Sequence, residues 1–143
     1  MKYKKGIIAG CFDVIHPGYI KMFQDAKNVC EHLTIALHSD PTTDRPEKNK
    51  PVQTIEERSI VLSSIKHVDE IIFYDTEKDL YNILNLLDFN VRILGTDYKN
   101  KSFTGDDLNI PVYFHERDHD WSSTDLKNRI KNNLEQKNVK TIR

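Results

Sequence analysis

The sequence carries almost no net charge: 21 Lys and Arg stand against 22 Asp and Glu, leaving −1. A sequence-independent grip on nucleic acid needs a basic excess, so that class of function is set aside. Long apolar runs are also lacking. The first run follows a basic start, Met1-Lys2-Tyr3-Lys4-Lys5, breaks at Gly10 and meets Asp13. That is too short for a signal peptide or a membrane span, and a cytoplasmic protein without a membrane partner is expected. Cysteine is scarce. Cys11 and Cys30 make neither a disulfide framework nor a zinc spacing, and Cys11 reads more simply as a small side chain in a turn than as a reactive thiol. There is no internal repeat or low-complexity segment, and 143 residues suit one domain, burying roughly two-thirds of the surface of the unfolded chain.

What is present alternates. Ile7-Ile8-Ala9 reads as a buried strand, and Pro17 opens a helix with Ile20, Met22, Phe23, Ala26 and Val29 on its apolar face. Leu33 to Leu37 is a second strand ending in His38-Ser39-Asp40-Pro41, and a polar loop follows as far as Pro51. Thr54 with Glu57 is a capping box, and the helix after it turns Ile55, Val61, Leu62 and Ile65 inward. Asp69 to Tyr74 is a third strand. Asp79 to Leu87 is a helix with Leu80, Ile83, Leu84 and Leu87 on one face, and Val91 to Leu94 and Ile110 to Phe114 are two further strands. The last helix opens at Ser122-Ser123-Thr124-Asp125, with Leu126, Ile130 and Leu134 as its stripe. This order predicts an α/β fold: a single Rossmann-like, doubly wound domain over residues 1–136 with a five-stranded parallel sheet, and a tail over 137–143 that frays.

In such a sheet ligands bind outside the carboxyl ends of the strands. Between Gly10 and Gly18 a strand stops, turns through Cys11, Phe12 and Asp13, and offers His16 ahead of a helix. Free N–H groups and the positive helix end make that an anion site. Asp40, Asp97, Arg117 and the helix start at Ser122 to Thr124 fall on the same edge.

Gly10-Cys11-Phe12-Asp13-Val14-Ile15-His16-Pro17-Gly18-Tyr19 resembles the Gly-x-Phe-Asp-x-x-His-x-Gly-His signature of the nucleotidyltransferases. Trp121-Ser122-Ser123-Thr124 resembles their second, Ser-Thr-rich signature, and the spacing is similar to that of the small cytidylyltransferases, the glycerol-3-phosphate branch in particular, over nearly the whole chain. The resemblance implies that an acceptor phosphate attacks the α-phosphorus of CTP and pyrophosphate leaves, with no covalent enzyme intermediate. Catalysis is then positioning and charge stabilisation.

By matching position, Gly10, Cys11 and Phe12 supply backbone contacts and His16 a donor to the triphosphate. Lys48 and Lys50 hold phosphates from the polar loop, Arg58 and Asp40 lie toward the acceptor, and Asp97 lies on the ribose or base side. Arg117 neutralises phosphate charge, Ser122, Ser123 and Thr124 offer hydroxyls and N–H groups, and Asp13 and Asp40 orient lysines or a Mg²⁺ ion carried by the nucleotide. A homodimer is implied too. The chain departs from the signature at Tyr19, where the second His is expected; a phenol donates one hydrogen bond but carries no positive charge at neutral pH.

Three readings of that departure stay open. Charge stabilisation shifts to His119, Lys48 or Arg117, with Tyr19 donating to a phosphate; or the acceptor differs; or the chain is inactive. Glycerol 3-phosphate, a polyol phosphate, phosphoethanolamine and a phosphoramidate such as a phosphorylated amino-acid amide are the candidate acceptors, for a product feeding cell-surface polymer synthesis. Adenylyl transfer to a phosphopantetheine-like or nucleotide acceptor, and a nucleotide-binding module without catalysis, are the rival functions.

Overall fold

The computed structural model describes the backbone of residues 1–142 and the side chains of residues 1–137. Its strands are β1 (Tyr3–Gly10), β2 (Cys30–His38), β3 (Glu70–Tyr74), β4 (Val91–Gly95) and β5 (Val112–His115), and its helices α1 (Pro17–Val29), α2 (Ile55–Ser63), α3 (Glu77–Leu86) and α4 (Ser123–Ile142). The strands form one sheet, all parallel, in the order β3-β2-β1-β4-β5. This is the expected α/β fold. The expected fraying of residues 137–143 falls mostly on side chains outside those described, although α4 is helical to Ile142.

Alternate residues of the central strands serve two cores, which is why these strands read as uninterrupted apolar runs. Ile8, Leu33, Ile35, Leu37 and Ile93 cluster with Phe23 and Ala26 of α1 and Leu62 of α2. Ile7 and Ala36 cluster with Leu80 and Leu84 of α3 and with Tyr74 and Phe89.

Local chemistry sets the element ends. Thr54 and Glu57 form the expected capping box, and Thr76 with Asp79 forms a second, so α3 starts at Glu77 and Asp79 lies one turn inside it. Pro111 has no N–H to give a ladder; its carbonyl accepts from the Arg92 N–H at 2.8 Å, and β5 begins only at Val112. Three expected inward faces are corrected. Val61 is 38% exposed, because the short α2 buries Arg58 and Leu62 instead. Leu87, the residue capping the end of α3, is exposed. Ile130 and Leu134 are exposed as well: a stripe repeating every four residues drifts by about 40° per step around a helix of 3.6 residues per turn.

From β1 the chain goes first to β2 and β3 on one side, then returns to β4 and β5 on the other. The switch point therefore lies between the carboxyl ends of β1 and β4, at Gly10 and Gly95. No helix among the described residues is long and apolar enough to cross a membrane.

Candidate active site

The turn leaving β1 is strained. Phe12 (φ 51°) and Val14 (φ 57°) both sit in the left-handed region that non-glycine residues avoid, and such strain persists only where the surroundings over-determine it. Here they do. The buried Phe12 ring packs 5.3 Å from Tyr19 and 5.5 Å from Phe23, and a Cβ on Gly10 would meet that ring at 3.2 Å. The Val14 N–H donates to Gln53 Oε1 at 3.0 Å. Asp13 accepts from the Val52 and Gln53 N–H groups at 2.8 and 2.9 Å and pairs with Lys127 of α4 at 2.7 Å.

Burial raises the Asp13 pKa, but the hydrogen bonds from Lys127, Val52 and Gln53 outweigh it and hold the carboxyl below the usual carboxylate range. A depressed folded pKa contributes stability above the unfolded value that is lost as pH falls through the folded one. The urea midpoint of the wild type should therefore fall between about pH 5 and pH 2, with a shallower slope in Asp13→Asn. Equal slopes would mean that Asp13 carries none of this dependence.

His16 is the N-cap of α1: its Nδ1 accepts the Gly18 N–H at 3.1 Å. That fixes the tautomer of the neutral ring, with the proton on Nε2, which has no partner among the described residues. Burial, with His119 and Arg117 nearby, lowers its pKa, so the neutral, capping form prevails. His119 is held in a parallel manner, its Nδ1 accepting the Trp121 N–H at 3.1 Å. The two rings meet across Gly18, where an added Cβ would come within 2.5 Å of His119 Cε1 and 2.8 Å of His16 Cε1.

Tyr19 lies beside His16, ring centroids 4.1 Å apart, and its hydroxyl is 3.1 Å from Ser123 Oγ. The one hydroxyl hydrogen of Ser123 goes to the Asp13 carbonyl at 2.9 Å, so Tyr19 must be the donor to Ser123. In this structure the proton ties the first motif to the start of α4; donation to a phosphate, the expected role, would require that bond to open. Tyr19→Phe should cost about 1 kcal/mol of stability and keep turnover within about tenfold of wild type. A loss as large as that of a His16 variant would return Tyr19 to the phosphates.

At α4, Ser122 Oγ caps the Asp125 N–H at 3.0 Å, and Thr124 keeps its hydroxyl unpartnered among the described residues. A crevice of about 580 Å³ opens at the switch point. Of the residues expected there, Gly10, Cys11, Asp13, Tyr19, Lys48, Ser123 and Thr124 line it. His16 stands just behind, 8% exposed at the helix start, and Phe12 is core.

Others are placed elsewhere. Arg58 is 1% exposed and gives its donors to the carbonyls of Gln53, Cys11, His38 and Ser39, at 3.1, 3.0, 2.6 and 2.6 Å. It clamps the site from behind and is not on its wall. Burial also pushes the neighbouring Cys11 thiol up, which fits an unreactive side chain. Asp40 caps the turn at Pro41–Thr43 through the Thr42 N–H at 2.9 Å, Asp97 is exposed beside Gly95, and Lys50 lies off the crevice. Arg117 donates to the carbonyls of His119 and Trp121, bracing its own loop.

Sequence reasoning missed Lys127, Arg45, Arg92 and Glu77, all on the crevice. Lys127 had a signal, one turn beyond Ser123 on the same helix face.

A family model described as cytidylyltransferase-like matches residues 7–129. The bifunctional protein HldE of Gluconacetobacter diazotrophicus is 34% identical over 106 residues, covering 72% of this chain, and that of Campylobacter concisus is 30% identical over 133 residues, covering 91%. The chain spans only 21% and 28% of the lengths of these curated relatives. Among solved structures, a lipopolysaccharide core biosynthesis protein from Thermoplasma volcanium superposes with a TM-score of 0.64 at 21% identity, covering 83% of this chain and 98% of that one. Pantoate-beta-alanine ligase from Francisella tularensis, solved with beta-gamma ATP and beta-alanine, gives 0.53 at 18% identity, covering 87% and 68%. At these identities the two structures speak for the fold.

Proposed function

We propose, from the premise that this chain belongs to the cytidylyltransferase-like family, that it transfers CMP from CTP to a small phosphorylated acceptor and releases pyrophosphate. One observation carries the reading. The His16-capped start of α1 and the start of α4 close on the same crevice, at the carboxyl ends of β1 and β4. The positive ends of two helix dipoles, with Lys48, Arg45 and Lys127 around them and the His16 Nε2–H beside them, match a triphosphate.

In this reading the His16 Nε2–H donates to a phosphate oxygen whose charge grows as pyrophosphate departs. His119, facing His16 across Gly18, takes the part left open at Tyr19. Asp13 keeps Lys127 directed at the crevice, with Thr124 beside it. A Mg²⁺ ion would be held through the nucleotide phosphates, since both oxygens of Asp13 are already engaged by Val52, Gln53 and Lys127. Work in the cytoplasm as a homodimer, with a CDP-activated product for a cell-surface polymer, belongs to the same proposal.

The test is pyrophosphate release with each of the four nucleoside triphosphates against a panel of phosphorylated acceptors. CTP-dependent release is expected. Release with ATP alone, or nucleotide binding with no release from any acceptor, would sink it.

A further inference from the structure

Where β4 and the start of α3 line the crevice, a buried cation makes no ion pair among the described residues. Arg92, on β4 amid Val91, Ile93 and Leu94, is 5% exposed and lines the cavity. One Nη donates to the Thr104 carbonyl and the guanidinium lies 5.1 Å from the Phe103 ring centroid. Its Nε and second Nη have no hydrogen-bond partner among the described residues, and no carboxylate forms an ion pair with it. A guanidinium taken out of water without an anion is costly, and the planar fork is built for a carboxylate or phosphate.

The same Thr104 reaches the opposite charge. Its hydroxyl donates at 2.8 Å to Glu77 Oε2, and Glu77 also lines the crevice, at the first turn of α3. Thr104 thus holds Arg92 through its backbone and Glu77 through its side chain, and both line the cavity without a direct ion pair between them. The Asp44 carboxylate that accepts the Glu77 N–H at 2.6 Å fixes that helix start.

We infer that this part of the crevice is the acceptor subsite and that it recognises an acceptor bearing, besides its reacting phosphate, an anionic group for Arg92 and an ammonium or amide donor for Glu77. The inference rests on the transferase reading above and names its acceptor class: an amino-acid-like phosphate or phosphoramidate, whereas glycerol 3-phosphate would offer neither group a charged partner besides its reacting phosphate. A cytosine ring could hydrogen-bond to both groups, but being neutral it would leave the guanidinium without its anion.

Three probes separate these cases: O-phospho-L-serine, with carboxylate and ammonium; phosphoethanolamine, with ammonium only; and glycerol 3-phosphate, with neither. Binding to the full chain is measured by calorimetry, alone and with a CTP analogue carrying a methylene α,β-bridge. O-phosphoserine should bind about 10- to 100-fold tighter than phosphoethanolamine, the span of one charge-assisted hydrogen-bond pair. Arg92→Gln should erase that preference while leaving affinity for the analogue unchanged, Arg92→Lys should keep part of it, and Glu77→Gln should reduce both amino-bearing probes toward glycerol 3-phosphate.

Thermal midpoints confirm that the variants fold, and the wild-type ranking decides the matter even where one does not. Equal affinities, no binding of any probe, or a loss confined to the analogue in Arg92→Gln would each overturn the inference. Failure of the transferase reading shows separately, as absent pyrophosphate release with the O-phosphoserine preference intact.

Discussion

His16→Ala should lower turnover by about 10²- to 10³-fold, the usual loss when one preorganised donor to a charged transition state is removed. The ring serves two ends at once. Nδ1 caps α1 at the Gly18 N–H, and Nε2 keeps the proton that no described residue takes. Alanine removes both, and the missing cap alone costs about 1 kcal/mol. His16→Asn separates the two contributions, because an Asn oxygen caps well while its amide donates from a different place. We expect Asn to restore the urea midpoint and little of the turnover, measured by pyrophosphate release. If Asn restored turnover with stability, the histidine would be a cap and nothing more.

Arg58→Met should destabilise the fold by about 3–5 kcal/mol, a large share of the 5–15 kcal/mol that holds a domain together. The guanidinium closes on four carbonyls from three separate segments: Cys11 after β1, His38 and Ser39 at the end of β2, and Gln53 ahead of α2. Methionine fills the volume but leaves buried acceptors without donors. Arg58→Lys should rescue little, since a single ammonium cannot span carbonyls that the planar fork reaches together. Urea unfolding followed by circular dichroism measures both; a loss under 1 kcal/mol in Arg58→Met would show that the carbonyls find water instead.

These two residues mark what the sequence can and cannot tell. The place of His16 at the start of α1 was legible because it is set locally: a glycine turn, a histidine and Pro17 at a helix start are adjacent in the chain. The alternation of apolar runs gave the sheet for the same reason. Arg58 reads by matching position as a contact toward the acceptor, and nothing near it announces that three distant segments converge there. Arg92 stands in an apolar strand, where a charged residue is a signal in itself, but its meaning depends on Thr104 and Glu77, which reach it only after folding. Ile130 and Leu134 misled in the other direction: their spacing suits a helix stripe, yet both are exposed.

The hydroxyl chain from Tyr19 through Ser123 to the Asp13 carbonyl can run only one way, because each hydroxyl owns a single hydrogen. Tyr19 therefore turns oxygen lone pairs, and no proton, toward anything else that approaches it. An imidazolium at this position would be a cationic donor; the phenol is a neutral acceptor. The substitution inverts the sense of hydrogen bonding at one corner of the crevice: in this hydroxyl arrangement a phosphate oxygen would meet lone pairs there, and an amide or an ammonium would meet an acceptor.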